Sequence, residues 1–336
     1  MTNTSYVTKL DSIGVIEMQG PQAADYLQGQ ITINTTSLDS LNNEAARVGA
    51  HCDFKGKTWA VYTAFKSNDV YSLICHADGL AKSLSEFKKY GVFSKVEIED
   101  KSAGYCFYGV KGNDYCKTLQ QHFTQLNTQH LGISIADIGT AICYQFSNEL
   151  APLYLIKVAQ EREADFLESF NGVDTDVQEL WDADVILSGF PTLASQVANE
   201  FVPQMLNLQA IAGIDFDKGC YMGQETIART KFLGKNKRAS YILESELNIE
   251  QMDAEQVESI ETELSAGAAL EKQAGENWRS GGSLLQKSVL KSESTLKVVA
   301  LAVLSNDTEL GAMIRLKANP VVEFTVLPLP YSLEDK

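Results

Sequence analysis

Near residue 235 the hydropathy pattern of this 336-residue chain changes period, and that change bounds the folds open to it. Before it, extended and helical signals mix. Residues 12–18 read as a strand, and Pro21 opens a helix at the position where a missing N–H is harmless. Residues 46–53 and 57–65 read as a strand pair joined by a Lys55-Gly56-Lys57 turn. Strands at 70–75, 92–98, 104–110 and 141–146 follow, with helices at 79–90 (apolar at Leu80, Leu84 and Phe87) and 158–170. Without a strict βαβ rhythm, this is an α+β pattern. After residue 235 short strands dominate, at 240–243, 281–285, 298–304, 313–316 and 321–326, with an acidic loop at 250–263. That predicts a small β-barrel or sandwich. The expected domains are therefore 1–234 and 235–333.

The chain carries 28 basic and 44 acidic residues, a formal charge of −16. A protein that coats nucleic acid or anionic lipid normally presents a basic surface, because phosphate neutralisation supplies most of the non-specific affinity. Any RNA contact here would have to use a local basic island. Residues 1–10 are polar and resemble no secretory leader. The apolar run at 298–304 is far below the roughly 20 residues that span a bilayer. Six scattered cysteines form no C-x-x-C pair, which argues against a disulfide framework or a structural zinc site. A cytoplasmic protein is expected.

The densest motif is Asp217-Lys218-Gly219-Cys220-Tyr221-Met222-Gly223-Gln224-Glu225. Its two glycines permit a tight turn with exposed backbone around the cysteine. From Gln224 a helix is expected, with Glu225 and Arg229 as an i, i+4 ion pair. Cys220 then lies just before a helix N-terminus and near Lys218, surroundings that lower a thiol pKa and create a reactive thiolate. A small buried hydrophobe is the other reading.

Other candidates are weaker. Gly56-Lys57-Thr58 ends like a phosphate-binding loop, but His51 occupies the place of the first glycine, so a hairpin turn is expected. His51-Cys52 and Cys75-His76 lie in strands, where neighbours point to opposite faces. Each pair offers one ligand at most, and no metal site is expected. Trp181, flanked by Glu179, Asp182 and Asp184, suits a flat nitrogen-rich heterocycle, the ring stacking and a carboxylate accepting N–H bonds. From these residues alone, an ordinary core tryptophan is the favoured reading. Arg229, Lys231, Lys235, Lys237 and Arg238 form a basic island that could hold a cofactor's acidic tail or an RNA phosphate, or be a solvated linker.

The stretch from Lys218 to Glu225 resembles the signature of the YgfZ-type folate-binding proteins, relatives of the aminomethyltransferase (T-protein) of glycine cleavage. Tyr26-Leu27-Gln28-Gly29-Gln30-Ile31-Thr32 and His51-Cys52-Asp53-Phe54-Lys55-Gly56-Lys57 agree with it. So do Gly189-Phe190-Pro191, Phe201-Val202-Pro203-Gln204, Asn207-Leu208-Gln209 and Leu327-Pro328-Leu329-Pro330-Tyr331-Ser332-Leu333. The resemblance covers nearly the whole chain in order.

It implies aminomethyltransferase-like, ferredoxin-like α+β subdomains and a C-terminal β-barrel, arranged around a pocket for tetrahydrofolate or a derivative. It also implies a role in iron–sulfur enzyme maintenance and, through enzymes that use such clusters, in tRNA thiolation. Direct contact with tRNA would then be weak or absent, and no membrane partner is implied. Cys220 matches the family's functional thiol, with Lys218, Gly219, Tyr221, Gly223, Gln224, Glu225 and Arg229 as its supporting motif. Trp181 matches a folate-site tryptophan. Three positions depart from the pattern. No carboxylate follows Gly56 through Thr63, where aminomethyltransferases carry an aspartate. Leu187 replaces a pterin-binding glutamate, and Ile13 stands where some relatives have a second folate-site tryptophan. Asp182 or Asp184 would then serve the folate. The alternative, a folate-dependent one-carbon transferase or demethylase acting on a small amine, lacks that carboxylate.

Overall fold

A computed structural model describes residues 4–40, 44–144, 151–170, 176–234 and 236–333. Two units are seen: Met1–Gln178 with Ala212–Gln224, and Glu179–Ile211 with Glu225–Lys336.

Among the described residues the first unit holds ten strands and five α-helices. They run β1 (Tyr6–Lys9), β2 (Ile13–Gln19), α1 (Ala23–Gln28), α2 (Thr35–Ser40), β3 (Arg47–Cys52), β4 (Thr58–Ser67), β5 (Val70–His76) and α3 (Ala77–Gly91). Then come β6 (Glu97–Asp100), β7 (Tyr105–Lys111), α4 (Asn113–His122), β8 (Ile133–Ala136), β9 (Gly139–Cys143), β10 (Leu153–Ala159) and α5 (Glu163–Glu168). One antiparallel sheet has the order β3-β4-β5-β2-β6 and the other β1-β7-β10-β9-β8. Leu80 and Phe87, seven residues apart on α3, pack with Tyr26 and Leu27 of α1 against Ala60, Tyr62 and Ala64 of β4. Leu119 of α4 and Phe166 of α5 do the same for Tyr108, Ile156 and Val158 of the second sheet. The free faces of the two sheets meet. Thr63 Oγ1 lies 2.5 Å from the Tyr144 hydroxyl, and the Lys157 ammonium donates to Glu17 of β2 and Ser72 of β5. Strands covered on both faces lose their polar alternation, as β4 and β10 have.

The second unit holds α6 (Gln178–Leu187) and α7 (Gln224–Phe232), each from its second residue on, and α8 (Ala254–Glu263). Its strands are β11 (Arg238–Asn248), β12 (Ala269–Ala274), β13 (Asn277–Lys291), β14 (Thr295–Ser305), β15 (Met313–Leu316) and β16 (Glu323–Leu327). They close into a barrel in the order β11-β14-β13-β12-β15-β16, with β16 pairing back to β11. Leu243, Leu284, Val298, Ala300, Leu316 and Phe324 fill it.

Three sequence expectations need correction. Residues 158–170 are not one helix: β10 runs to Ala159, a short 3-10 turn follows, and only Glu163–Glu168 is α-helical. A strand buried between two neighbours on both faces has no period to separate it from a helix. At 92–98 only the last two residues are strand, since α3 reaches Gly91 and Val92 and Phe93 lie exposed. The acidic stretch 250–263 is largely α8, not a loop. Asp253 accepts from Gln256 N while Gln256 caps Asp253 N, a capping box. Val257, Ile260 and Leu264 then bury one stripe in the barrel core beneath the acids. The strand expected at 141–146 is β9, ending at Cys143; Gln145 and Phe146 lie outside the described residues.

Candidate functional site: a clamped cysteine loop

Three segments singled out in the sequence meet in the first unit. The loop from Ala212 to Gly223 lies on the stretch Gln28–Ile33 and on the turn after β3. At one end, Arg47 at the start of β3 forms a forked pair with Asp215, Nη1 to Oδ2 at 2.6 Å and Nη2 to Oδ1 at 2.9 Å. Asp215 also accepts from Asn34 N, and its own N–H donates to Thr32 O. Burial alone would raise the Asp215 carboxyl, but the Arg47 guanidinium and the Asn34 N–H hold it below its ordinary value.

In the middle, Lys218 is buried and its ammonium donates to three backbone carbonyls, Gln28 O at 2.7 Å, Ile31 O at 2.6 Å and Ile33 O at 2.7 Å. Read from the sequence as a cation beside the thiol, Lys218 has its three N–H donors engaged by this framework. Burial pulls its pKa down to about 7, against the attraction of Asp215. At the far end Met222 N donates to Gly29 O at 3.1 Å. Gly223 has φ +83°, and a Cβ there would lie 2.5 Å from Asp53 O. Only glycine fits that contact. The turn it touches is itself fixed, because Asp53 Oδ1 accepts from Lys55 N and Lys57 N. It is a hairpin turn between β3 and β4, as expected for Gly56-Lys57-Thr58.

Between these anchors a Cβ added at Gly219 would meet nothing within 4 Å, and Cys220 is exposed. Tyr221 is buried beneath the Lys218 ammonium, 4.8 Å from its ring centre, and its N–H reaches the Gln224 side chain. Helix α7 begins at Gln224, four residues beyond the cysteine, and Glu225 pairs with Arg229 at 3.7 Å. A rigid frame thus presents one thiol to solvent. Ile13 opens β2 opposite His76 of β5, half-buried.

The second unit gathers the remaining segments. The Tyr331 hydroxyl donates to Gly189 O at 2.7 Å. Asn207, in a left-handed conformation, exchanges hydrogen bonds with Ser240 of β11. Gln204 Nε2 donates to Ile227 O and so fixes α7. Trp181, Asp182 and Asp184 lie on α6, whose Glu179 carbonyl accepts from Ser288 of the barrel. Trp181 and Asp184 are buried, and Asp182 is half-buried.

A tRNA-modifying protein YgfZ from Photobacterium profundum is 37% identical over 331 residues, covering 97% of this chain and 92% of that relative. One from Colwellia psychrerythraea is 36% identical over 330 residues, 98% of this chain and 94% of that protein. The chain belongs to the YgfZ family. Residues 259–319 match the YgfZ, beta-barrel domain, which coincides with most of the closed barrel from α8 onward. The structure of the glycine cleavage system aminomethyltransferase T from Bartonella henselae superposes with a TM-score of 0.65. It shares 12% identity and covers 97% of this chain and 86% of that one. The aminomethyltransferase-like α+β fold with a C-terminal barrel, expected from the YgfZ resemblance, is therefore observed.

Sequence reasoning missed the Arg47–Asp215 clamp. Its only signal was a lone charge at the head of an otherwise apolar strand, Arg47-Val48-Gly49-Ala50. Among the described residues no group of three or more His, Cys, Asp or Glu side chains is placed to hold a metal ion, and no helix is long and apolar enough to cross a membrane.

Proposed function

We propose that this chain is a tetrahydrofolate-binding accessory protein that supports iron–sulfur enzymes in modifying tRNA, with Cys220 as its functional thiol. The observation that carries this reading is the exposure of Cys220 on a loop clamped by Asp215, Lys218 and Gly223. Five of the six cysteines are buried or half-buried, so the exposed one is singled out for chemistry with a partner. The name of these relatives, tRNA-modifying protein, supports the role in tRNA. Six free thiols suit a reducing cytoplasm.

The residue types on α6 match the chemistry of a folate. Trp181 and Asp184, three residues apart, share one helix face. An aromatic ring and a carboxylate match a pterin's flat face and its N–H edge, and Asp182 carries a second carboxylate. Bound tetrahydrofolate would supply a one-carbon carrier; Trp181 and the aspartates would hold and orient it.

Two measurements test this. In a strain lacking the protein, wild-type chain should restore thiolated tRNA bases and Cys220→Ala should not; full restoration by the variant removes the cysteine's role. Titration with a reduced folate should quench tryptophan fluorescence in the wild type and much less in Trp181→Phe. Identical titrations would remove Trp181 from the folate site.

A further inference from the structure

The basic island belongs to no part of the clamped loop, and its surroundings point to a ligand. Helix α7 ends at Phe232, and the cap is ordered: Leu233 N donates to Arg229 O and Gly234 N to Lys231 O, with Gly234 at φ +58°. This turn holds Phe232 70% exposed and Leu233 58% exposed. Cations flank them along the chain. Lys231 lies 6.0 Å from the Phe232 ring centre, Arg229 is exposed one turn earlier, and Lys237 and Arg238 are exposed where the chain enters β11. Lys235 lies outside the described residues. No acid occurs between Thr226 and Arg238, in a chain of net charge −16. The Glu225 that faces Arg229 is 3.7 Å away with both side chains largely solvated, a geometry that contributes little.

We propose that Arg229, Lys231, Phe232, Lys237 and Arg238 form a contact surface for a single-stranded loop of RNA, the cations meeting phosphates and the Phe232 ring stacking on a base. Exposed aromatics interleaved with cations are the chemistry that binds single strands without sequence preference. The bulk negative charge does not forbid it, since salt screens it beyond about 8–10 Å while the island acts at contact. A lipid surface fits less well: two apolar side chains bury too little for a stable anchor. The proposal rests on the tRNA reading above and names a direct contact within it.

The test is fluorescence anisotropy of a labelled, unmodified tRNA transcript with the full chain. Four phosphate contacts predict a log–log salt slope of about −3, a loss of roughly 50-fold between 50 and 200 mM salt. Arg229→Gln with Lys231→Gln should about halve that slope. Phe232→Ala should weaken binding about tenfold with the slope unchanged. Cys220→Ala should bind like wild type, so a failed thiol role and a failed surface give different results. No binding at 50 mM salt, or an unchanged slope in the double variant, overturns the proposal. So does binding to phosphatidylglycerol vesicles or polyglutamate in preference to the transcript.

Discussion

The Lys218 ammonium and the Ile31 carbonyl are 2.6 Å apart, across 187 residues of sequence, and the same nitrogen holds Gln28 O and Ile33 O. An ammonium is a tripod of donors with no acceptor, so three converging carbonyls match it fully. Replacing Lys218 by Met leaves three inward carbonyls without their donor. We expect a loss of about 3 kcal/mol in denaturant unfolding, with faster amide exchange confined first to residues 212–223. Lys218→Arg should not rescue it, because a planar fork cannot make the same tripod. Wild-type exchange in the variant's loop would show that the tripod does not hold it.

The two glycines beside Cys220 should respond oppositely. Gly223→Ala puts a Cβ into Asp53 O at a left-handed φ, and should cost about 2–4 kcal/mol. Gly219→Ala meets nothing within 4 Å and should stay within about 0.5 kcal/mol of wild type. Equal midpoints for the two variants would contradict the clamp at Gly223.

Between the sheets, Lys157 and Glu17 form a buried pair at 2.9 Å, with side chains 7% and 14% exposed. Burial lowers the Lys157 pKa, and Glu17 partly restores it. Glu17→Gln should destabilise by about 3 kcal/mol because it strands a buried cation, whereas a Glu17→Leu/Lys157→Met double variant should recover much of that. A double-mutant cycle with no coupling would show the pair to be inert.

His51 gives a pH dependence of known sign. It is fully buried, stacked 3.8 Å from Phe87 and bonded to Ser83 through Nδ1. Burial lowers its pKa from 6.5 to about 3. As pH falls through 6.5, the unfolded chain takes up a proton that the folded chain refuses. Stability from this group is therefore complete above pH 6.5 and declines down to about 3, by up to about 1.4 kcal/mol per unit. Unfolding free energies of wild type and His51→Gln, measured from pH 7 to 5, should converge by about 2 kcal/mol. Parallel curves would rule His51 out as the source.

Local chemistry made some elements readable. The β3–β4 hairpin was legible because its turn glycine and flanking apolar strands agree, and α3 because Leu80 and Phe87 keep helical spacing. The capping box of α8 was also written in the sequence, at Asp253 and Gln256, but the surrounding acids masked three buried positions. The short stretch around β10 could not be assigned from period, since burial on both faces removes the alternation that marks a strand.

The sequence alone determined the change to a barrel near residue 235, the glycine-flanked cysteine and the segments that place the chain in its family, because turn chemistry and hydrophobic period act over a few residues. Tertiary structure alone decided what those segments do to one another. Arg47 and Asp215 are 168 residues apart, and no local propensity pairs them. Lys218 read as a neighbour of the thiol until the fold brought three carbonyls to its nitrogen. Charges and carbonyls find partners by distance in space, and only the packed chain sets that distance.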